Sequence, residues 1–332
     1  MQKNISIIGA TGNVGRKILE IILEKNVFPA SAIKLFASAA SAGKELTMNH
    51  HTYRVEDAAK YDFQNSALCI FSTESEISEQ YIPTALEAGC IVIDTSSLYR
   101  LDPSIPLIVA PVNKHLISIH NSRLYAVANC LASPTSIALA PLQKKWGIKR
   151  VNVITYQSVS GAGKQAMDEL HQETSSLINK QSFQRSYFKR QIAFNVIPQV
   201  GEILADGFTH EEFKIIKEIQ KIIADDFPVT ATAVRVPVMV GHSIALSIEL
   251  NKTFDLSDIK QALREYNGLQ LSEDNYTTPV EAHGSDKVFV GRIRKDPTIV
   301  NGLHLWLCSD NLRRGAATDT VEIVQEVLNQ LS

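Results

Sequence analysis

Apolar and polar positions alternate in short blocks along the first third of the chain. Residues 4–8 form a brief apolar run that predicts a strand. It leads into Gly9-Ala10-Thr11-Gly12-Asn13-Val14-Gly15, after which Ile18, Ile21 and Ile22 recur at helical spacing until Pro29 closes the region. Further strands are predicted over 33–37, 67–71, 91–93 and 106–110, with a helix near 79–88. Strands alternating with helices predict an α/β fold with a mostly parallel, Rossmann-like sheet. Beyond Cys130 the texture changes. A helix over 133–145, a strand over 150–157 and a helix over 164–177 are predicted in turn. Residues 180–207 are polar and aromatic with little periodicity, which predicts an excursion or interface segment. Residues 211–226 predict an amphipathic helix with Phe213, Ile216, Ile219 and Ile223 on one face. Strand-like stretches at 231–237, 243–250, 288–294 and 303–309 suit a mixed sheet in a second domain. A final amphipathic helix over 315–331 is positioned to return to the first.

At 332 residues the chain is long for one hydrophobic core, which agrees with two domains. A formal charge of −2 gives no basic footprint for nucleic acid or an anionic membrane. No apolar run is long enough for a membrane span and no secretory leader is apparent, so a cytoplasmic protein is expected. The cysteines at 69, 90, 130 and 308 are scattered and form no CxxC pair, so neither a metal site nor a disulfide framework is expected.

The glycines at 9, 12 and 15 lie between a predicted strand and a predicted helix. A helix N-terminus offers unpaired N–H groups, and glycine lets a pyrophosphate approach the backbone. Gly9, Thr11, Gly12, Asn13 and Val14 are therefore candidate cofactor contacts, although a tight turn without a ligand uses glycines in the same way. Residues 36–44 hold no acid to bind a ribose hydroxyl, while Ser38 and Ser41 offer hydroxyls to a phosphate. That favours NADP.

Asn129-Cys130 follows a predicted strand and precedes a helix, a setting that lowers a thiol pKa and makes a nucleophile. Four later segments give this cysteine its context. They are Tyr156-Gln157-Ser158-Val159-Ser160-Gly161-Ala162-Gly163-Lys164, Ile192-Ala193-Phe194-Asn195-Val196-Ile197-Pro198, Arg235-Val236-Pro237-Val238-Met239-Val240-Gly241-His242 and Asp310-Asn311-Leu312-Arg313-Arg314-Gly315-Ala316-Ala317. With the glycine loop, their order and spacing resemble the aspartate-semialdehyde dehydrogenase family over nearly the whole chain.

The resemblance implies a dinucleotide-binding domain over 1–129 and 311–332, and an α+β catalytic and dimerisation domain over 130–310. It implies NADP-dependent interconversion of aspartate semialdehyde plus phosphate with 4-aspartyl phosphate, a step toward lysine, threonine and methionine, carried out by a homodimer. Cys130 matches the nucleophile, His242 the general acid/base and Gln157 the residue that orients the acyl group. Arg235 matches the clamp on the substrate carboxylate and Glu211 the contact to its amino group. Arg100 and Lys214 match phosphate-binding cations, with Asn129 beside the nucleophile as a further phosphate contact. Ser160, Gly161 and Asn311 match cofactor contacts. Ala40 stands where the family often has arginine, and Leu131 where it has serine or threonine. An N-acetylglutamyl phosphate reductase and a catalytically silent nucleotide-binding paralogue are the competing readings. The segment from Phe183 to Phe194 is the candidate dimer contact.

Overall fold

A computed structural model describes residues 4–331. It divides into two compact units, one taking in the chain up to Ala128 and again from Ala316, the other Asn129–Gly315.

The first unit is a parallel α/β sheet. Its elements are β1 (Asn4–Ile8), α1 (Asn13–Glu24), β2 (Ile33–Ala37), β3 (Glu45–Met48), β4 (His51–Asp57), β5 (Ser66–Phe71), α2 (Ser75–Glu87), β6 (Ile91–Asp94), β7 (Leu107–Ile108), α3 (Ala110–Asn113) and β8 (Leu124–Val127). The sheet order is β3-β4-β2-β1-β5-β6-β8-β7. Every pairing is parallel except β3 with β4. The central strands are covered on both faces, so β1 and β5 read as continuous apolar runs. Strand order reverses between β2-β1 and β5-β6, and the crevice beyond the strand ends at such a switch point is where this fold holds ligands.

In this unit a strand and a hairpin depart from the sequence expectation. The predicted strand over 106–110 shrinks to Leu107–Ile108, because Ala110 and Pro111 already open α3. The hairpin β3–β4 was not predicted. Glu45 and Thr47 are exposed and only Leu46 is buried on β3, so its apolar signal is a single residue.

The second unit contains α4 (Ala132–Trp146), β9 (Ile148–Gln157), α5 (Lys164–Ile178), α6 (His210–Ile223), β10 (Val229–Arg235), β11 (His242–Leu250), α7 (Leu256–Glu265), β12 (Leu269–Leu271), α8 (Pro279–Ala282), β13 (Val288–Asp296) and β14 (Gly302–Ser309). Its mixed sheet runs β10-β9-β11-β14-β13-β12, with β9–β10 and β12–β13 parallel and the rest antiparallel. Helices α4, α6 and α7 pack together against this sheet. The last helix, α9 (Thr318–Leu331), belongs to the first unit, where Val321, Val324 and Val327 join Ile18 and Ile22 of α1 in one core.

Helix α6 buries only part of the stripe its apolar spacing predicts. Ile219 is buried and Phe213 is exposed, while Glu211, Ile215, Glu218 and Ile222 join the buried face. The buried carboxylates are satisfied by backbone and side-chain donors, and this turns the helix away from its purely apolar stripe.

The stretch 180–207 has no helix or named strand. It is nonetheless held by two buried glutamates of α5. Glu169 accepts the backbone N–H groups of Ser186, Tyr187 and Phe188, and Glu173 accepts those of Ile192 and Ala193 together with Arg185 Nη1.

Candidate active site

Strand β8 delivers the chain to Asn129 and Cys130, immediately ahead of α4. Asn129 Oδ1 accepts the N–H groups of Leu131 at 2.8 Å and Ala132 at 3.4 Å, so it caps the helix. Its own N–H donates to Glu218 at 2.6 Å and its Nδ2 to Glu211 at 3.0 Å, both on α6. Cys130 is thereby fixed just ahead of the N-terminus of a buried helix. The chain also passes close behind it. A Cβ at Gly315, whose φ is +97°, would lie 2.7 Å from Cys130 Cα.

Three candidate groups share one row across the second sheet. Arg235 at the end of β10 pairs with Gln157 at the end of β9. Ser243 of β11 pairs with Tyr156, which brings His242 alongside Gln157 on the other flank of β9, and His242 itself pairs with Ser309. Residues paired directly across strands face the same side. Seven residues along one straight strand would have put Arg235 and His242 on opposite faces. Instead they occupy two strands, and the turn between them passes through Gly241 at φ +94°.

The imidazole of His242 is buried, with Nε2 3.5 Å from Cys130 Sγ. Its Nδ1 accepts the Ser158 backbone N–H at 3.0 Å and also lies 3.1 Å from Ser158 Oγ. Burial, followed by the charge of Arg235, pushes its pKa down to about 3. Arg235 donates Nη1 to the Ser158 carbonyl at 2.7 Å. A Cβ on Gly161 would come within 3.1 Å of His242 Nε2 and 3.5 Å of Arg235 Nη1, so the bare backbone there leaves room beside both groups. Glu211 is paired with Lys214 at 2.9 Å. Burial works to raise its carboxyl pKa, but Lys214, Asn129 and Arg235 together outweigh burial and hold it below the usual range. Gln157 is buried and donates to Thr155 Oγ1 at 3.2 Å. Asn311 Oδ1 accepts from Gly241 N–H at 2.9 Å, Ser160 Oγ at 3.1 Å and Ser158 Oγ at 3.2 Å.

The remaining candidates lie in the first unit. Gly9 N–H donates to Phe36 O at 2.9 Å, so the glycine turn sits beside the end of β2. Ser38 and Ser41 follow in a turn closed by Ser41 N–H on Ser38 O at 2.8 Å. A Cβ at Gly9 would lie 2.1 Å from Ser72 O, and one at Gly15 2.3 Å from Gly9 O. Packing alone demands those two glycines. At Gly12 a Cβ would meet only Gly9 O, at 3.4 Å. The bare backbone at Gly12 and an α1 N-terminus without a side-chain cap fit the close approach of a dinucleotide pyrophosphate. Arg100 donates Nη2 to Thr95 O at 2.7 Å.

Family models describing a semialdehyde dehydrogenase NAD binding domain and a semialdehyde dehydrogenase dimerisation domain match residues 4–120 and 139–314. Aspartate-semialdehyde dehydrogenase of Rickettsia conorii is 41% identical over 98% of both chains. The chain belongs to the aspartate-semialdehyde dehydrogenase family. Another member, from Bacillus subtilis, is 37% identical over 98% of this chain and 97% of its own. The crystal structure of aspartate semialdehyde dehydrogenase II from Vibrio cholerae superposes with a TM-score of 0.96 at 39% identity, covering 100% of both chains.

Within this family member the four thiols differ sharply. Cys69, Cys90 and Cys308 are buried, and Cys130 alone is half-buried. A bond to Cys90 and burial push the Cys69 thiol up, and burial pushes Cys308 up to about 12. Sequence reasoning missed Ser158, whose N–H, Oγ and carbonyl all bond to His242 or Arg235. The signal available was its position directly after Gln157.

Proposed function

We propose that the protein is an NADP-dependent aspartate-semialdehyde dehydrogenase that converts L-aspartate 4-semialdehyde and phosphate to 4-aspartyl phosphate, and the reverse, through a thioester on Cys130. The observation that carries this reading is the 3.5 Å approach of His242 Nε2 to a half-buried sulfur at the head of α4. The sulfur attacks the aldehyde carbon, and the S–C bond forms as the carbonyl π pair moves to oxygen. His242 relays the thiol proton to that oxygen, and then accepts it back from the resulting hydroxyl as the C–H bond breaks. NADP, when bound, takes up the hydride. Phosphate oxygen then attacks the thioester carbon, and the C–S bond breaks to return the thiolate.

Arg235 and Glu211 favour a free amino-acid head group over an N-acylated one. A guanidinium pairs bidentately with a carboxylate, and the Glu211 carboxylate complements an ammonium. An N-acetylated substrate lacks that ammonium, which argues against the reductase alternative. The half-buried sulfur beside an imidazole argues against a silent paralogue. The Vibrio cholerae relative was also solved as a complex with ASA, which supports the same substrate class here. Lys214 and Arg100 are the phosphate cations of this reading. Asn129 is a further phosphate contact of this reading, since its bond to Glu211 uses only one of the two Nδ2 hydrogens, and its Oδ1 holds the start of α4 beside Cys130. Ser38 and Ser41, in a segment 36–44 that itself holds no acid, favour the 2′-phosphate of NADP. Free thiols fit a reducing cytoplasm.

The test is reduction of NADP by the purified protein with aspartate semialdehyde and phosphate. Cys130→Ala is expected to remove activity while the protein stays folded. Retained turnover in that variant would rule out the thioester route. Turnover restricted to the N-acetylglutamyl substrate would transfer the assignment to the reductase.

A further inference from the structure

Ser158 offers two opposite groups to one ring nitrogen. Its backbone N–H points at His242 Nδ1 from 3.0 Å, and its Oγ lies 3.1 Å from the same atom. The N–H can only donate. It therefore favours an unprotonated Nδ1 and a ring that carries its proton on Nε2, facing Cys130. That tautomer can donate a hydrogen bond to a thiolate or an oxyanion, but it has no lone pair on Nε2 with which to take a proton. Proton acceptance at Nε2 starts from the other tautomer and produces the imidazolium, and both of these carry a proton on Nδ1. A buried Nδ1–H needs an acceptor. Ser158 Oγ is an acceptor in reach of that nitrogen at 3.1 Å, and the Gly241 backbone adds a further hydrogen bond to the ring.

The hydroxyl is held for that part. Ser158 Oγ donates to Asn311 Oδ1 at 3.2 Å, which turns its lone pairs away from Asn311. Asn311 is in turn fixed by Gly241 N–H at 2.9 Å and Ser160 Oγ at 3.1 Å. Ser158 and His242 are both buried, so water is poorly placed to substitute. The ionisable groups that face the ring are Cys130 at Nε2 and, through their charge, Arg235 and Glu211.

We propose that Ser158, oriented by Asn311, is a positioning residue that lets His242 alternate between donating from Nε2 and accepting a proton there. When His242 takes the thiol or hydroxyl proton at Nε2, the electron pair stays on sulfur or oxygen. The ring becomes imidazolium, and its Nδ1–H donates to Ser158 Oγ. This rests on His242 acting as acid and base in the reaction proposed above.

The test is Ser158→Ala, which keeps the backbone N–H and removes the hydroxyl, both as acceptor for Nδ1–H and as donor to Asn311. Its aldehyde oxidation at neutral pH is expected to fall by roughly 100-fold in kcat, within the usual span for lost general-base action. KM for the aldehyde should move by less than about threefold, because the substrate clamp is intact. The deficit should shrink as the pH is raised, since hydroxide then replaces the missing base. Ser158→Thr, which keeps the hydroxyl, should recover most of the rate. A loss equal at every pH, or one confined to KM, would overturn the proposal. Nitrogen-15 NMR of histidine-labelled protein gives a reading that needs no turnover. The Nδ1 resonance of His242 should show partial protonation in the parent protein and none in Ser158→Ala. Identical ring spectra would sink the proposal even if Cys130→Ala had upheld the dehydrogenase reading.

Discussion

His242 shows how a single side chain ties activity to acid stability. Its pKa is near 6.5 in an unfolded chain, and burial beside Arg235 brings it to about 3 in the folded one. Between those values the unfolded chain binds a proton that the folded chain refuses, so stability falls as the pH drops through this window. One such proton gives a slope of at most about 1.4 kcal/mol per pH unit. His242→Asn removes this term. Thermal melting from neutral pH toward pH 4 should therefore decline less steeply in the variant than in the parent. Parallel curves would mean that the ring is open to protons in the native state. Cys130, Gln157, Arg235 and His242 were legible in the sequence because each stands in a motif at a strand end or helix start. Ser158 was not. Its work is done as much by backbone N–H and carbonyl as by its hydroxyl, and a sequence does not reveal where backbone groups point. Asn129 was read as a phosphate contact from its place beside the nucleophile, and its bonds to α4 and α6 became visible only with the fold.

At the scale of elements, the cofactor turn separates glycines needed for packing from one left for a ligand. Gly15→Ala would drive a Cβ into the Gly9 carbonyl, and overpacking of this kind costs about 1–3 kcal/mol. Gly12→Ala meets no such obstacle. It is expected to leave the melting temperature nearly unchanged while weakening NADP binding, measured by fluorescence titration, by about tenfold, or roughly 1.4 kcal/mol. Equal effects of the two substitutions on melting would refute that division of labour. Most helices and strands followed from apolar periodicity. Helix α6 did so too, but its buried face was read incompletely, because Glu211, Glu212 and Glu218 lie on it. Glu212 closes a capping box with Thr209 and also accepts Ala233 N–H of β10 at 2.8 Å. Hydrophobicity counts such residues as solvent-facing, and only their partners reveal that burial is satisfied.

At the scale of the whole molecule, the second face of the mixed sheet is only partly covered. On β9 the residues at 151, 153, 155 and 157 are buried, whereas Asn152, Ile154 and Tyr156 are only partly so. Ile154 continues across the sheet through Ala245 and Trp306, and the Tyr156 and Trp306 rings lie 5.5 Å apart. An apolar strip of this kind suits burial against a second copy, in keeping with a dimerisation domain. Tyr187 and Phe194, within the excursion clamped by Glu169 and Glu173, add exposed aromatic area. Ile154→Asp is expected to shift the protein in sedimentation from a dimer toward the 36.7 kDa monomer. An unchanged mass would move the contact elsewhere.

The row that joins Arg235, Gln157 and His242 carries a cost for the folding chain. Each of these side chains comes from a different strand, and a slip of one residue in any pairing would point that group away from the others. A molecule misthreaded in this way would keep its strand content and much of its compactness while losing its chemistry. Catalytic output per molecule is therefore a proofreading signal for strand alignment, one that circular dichroism would pass over.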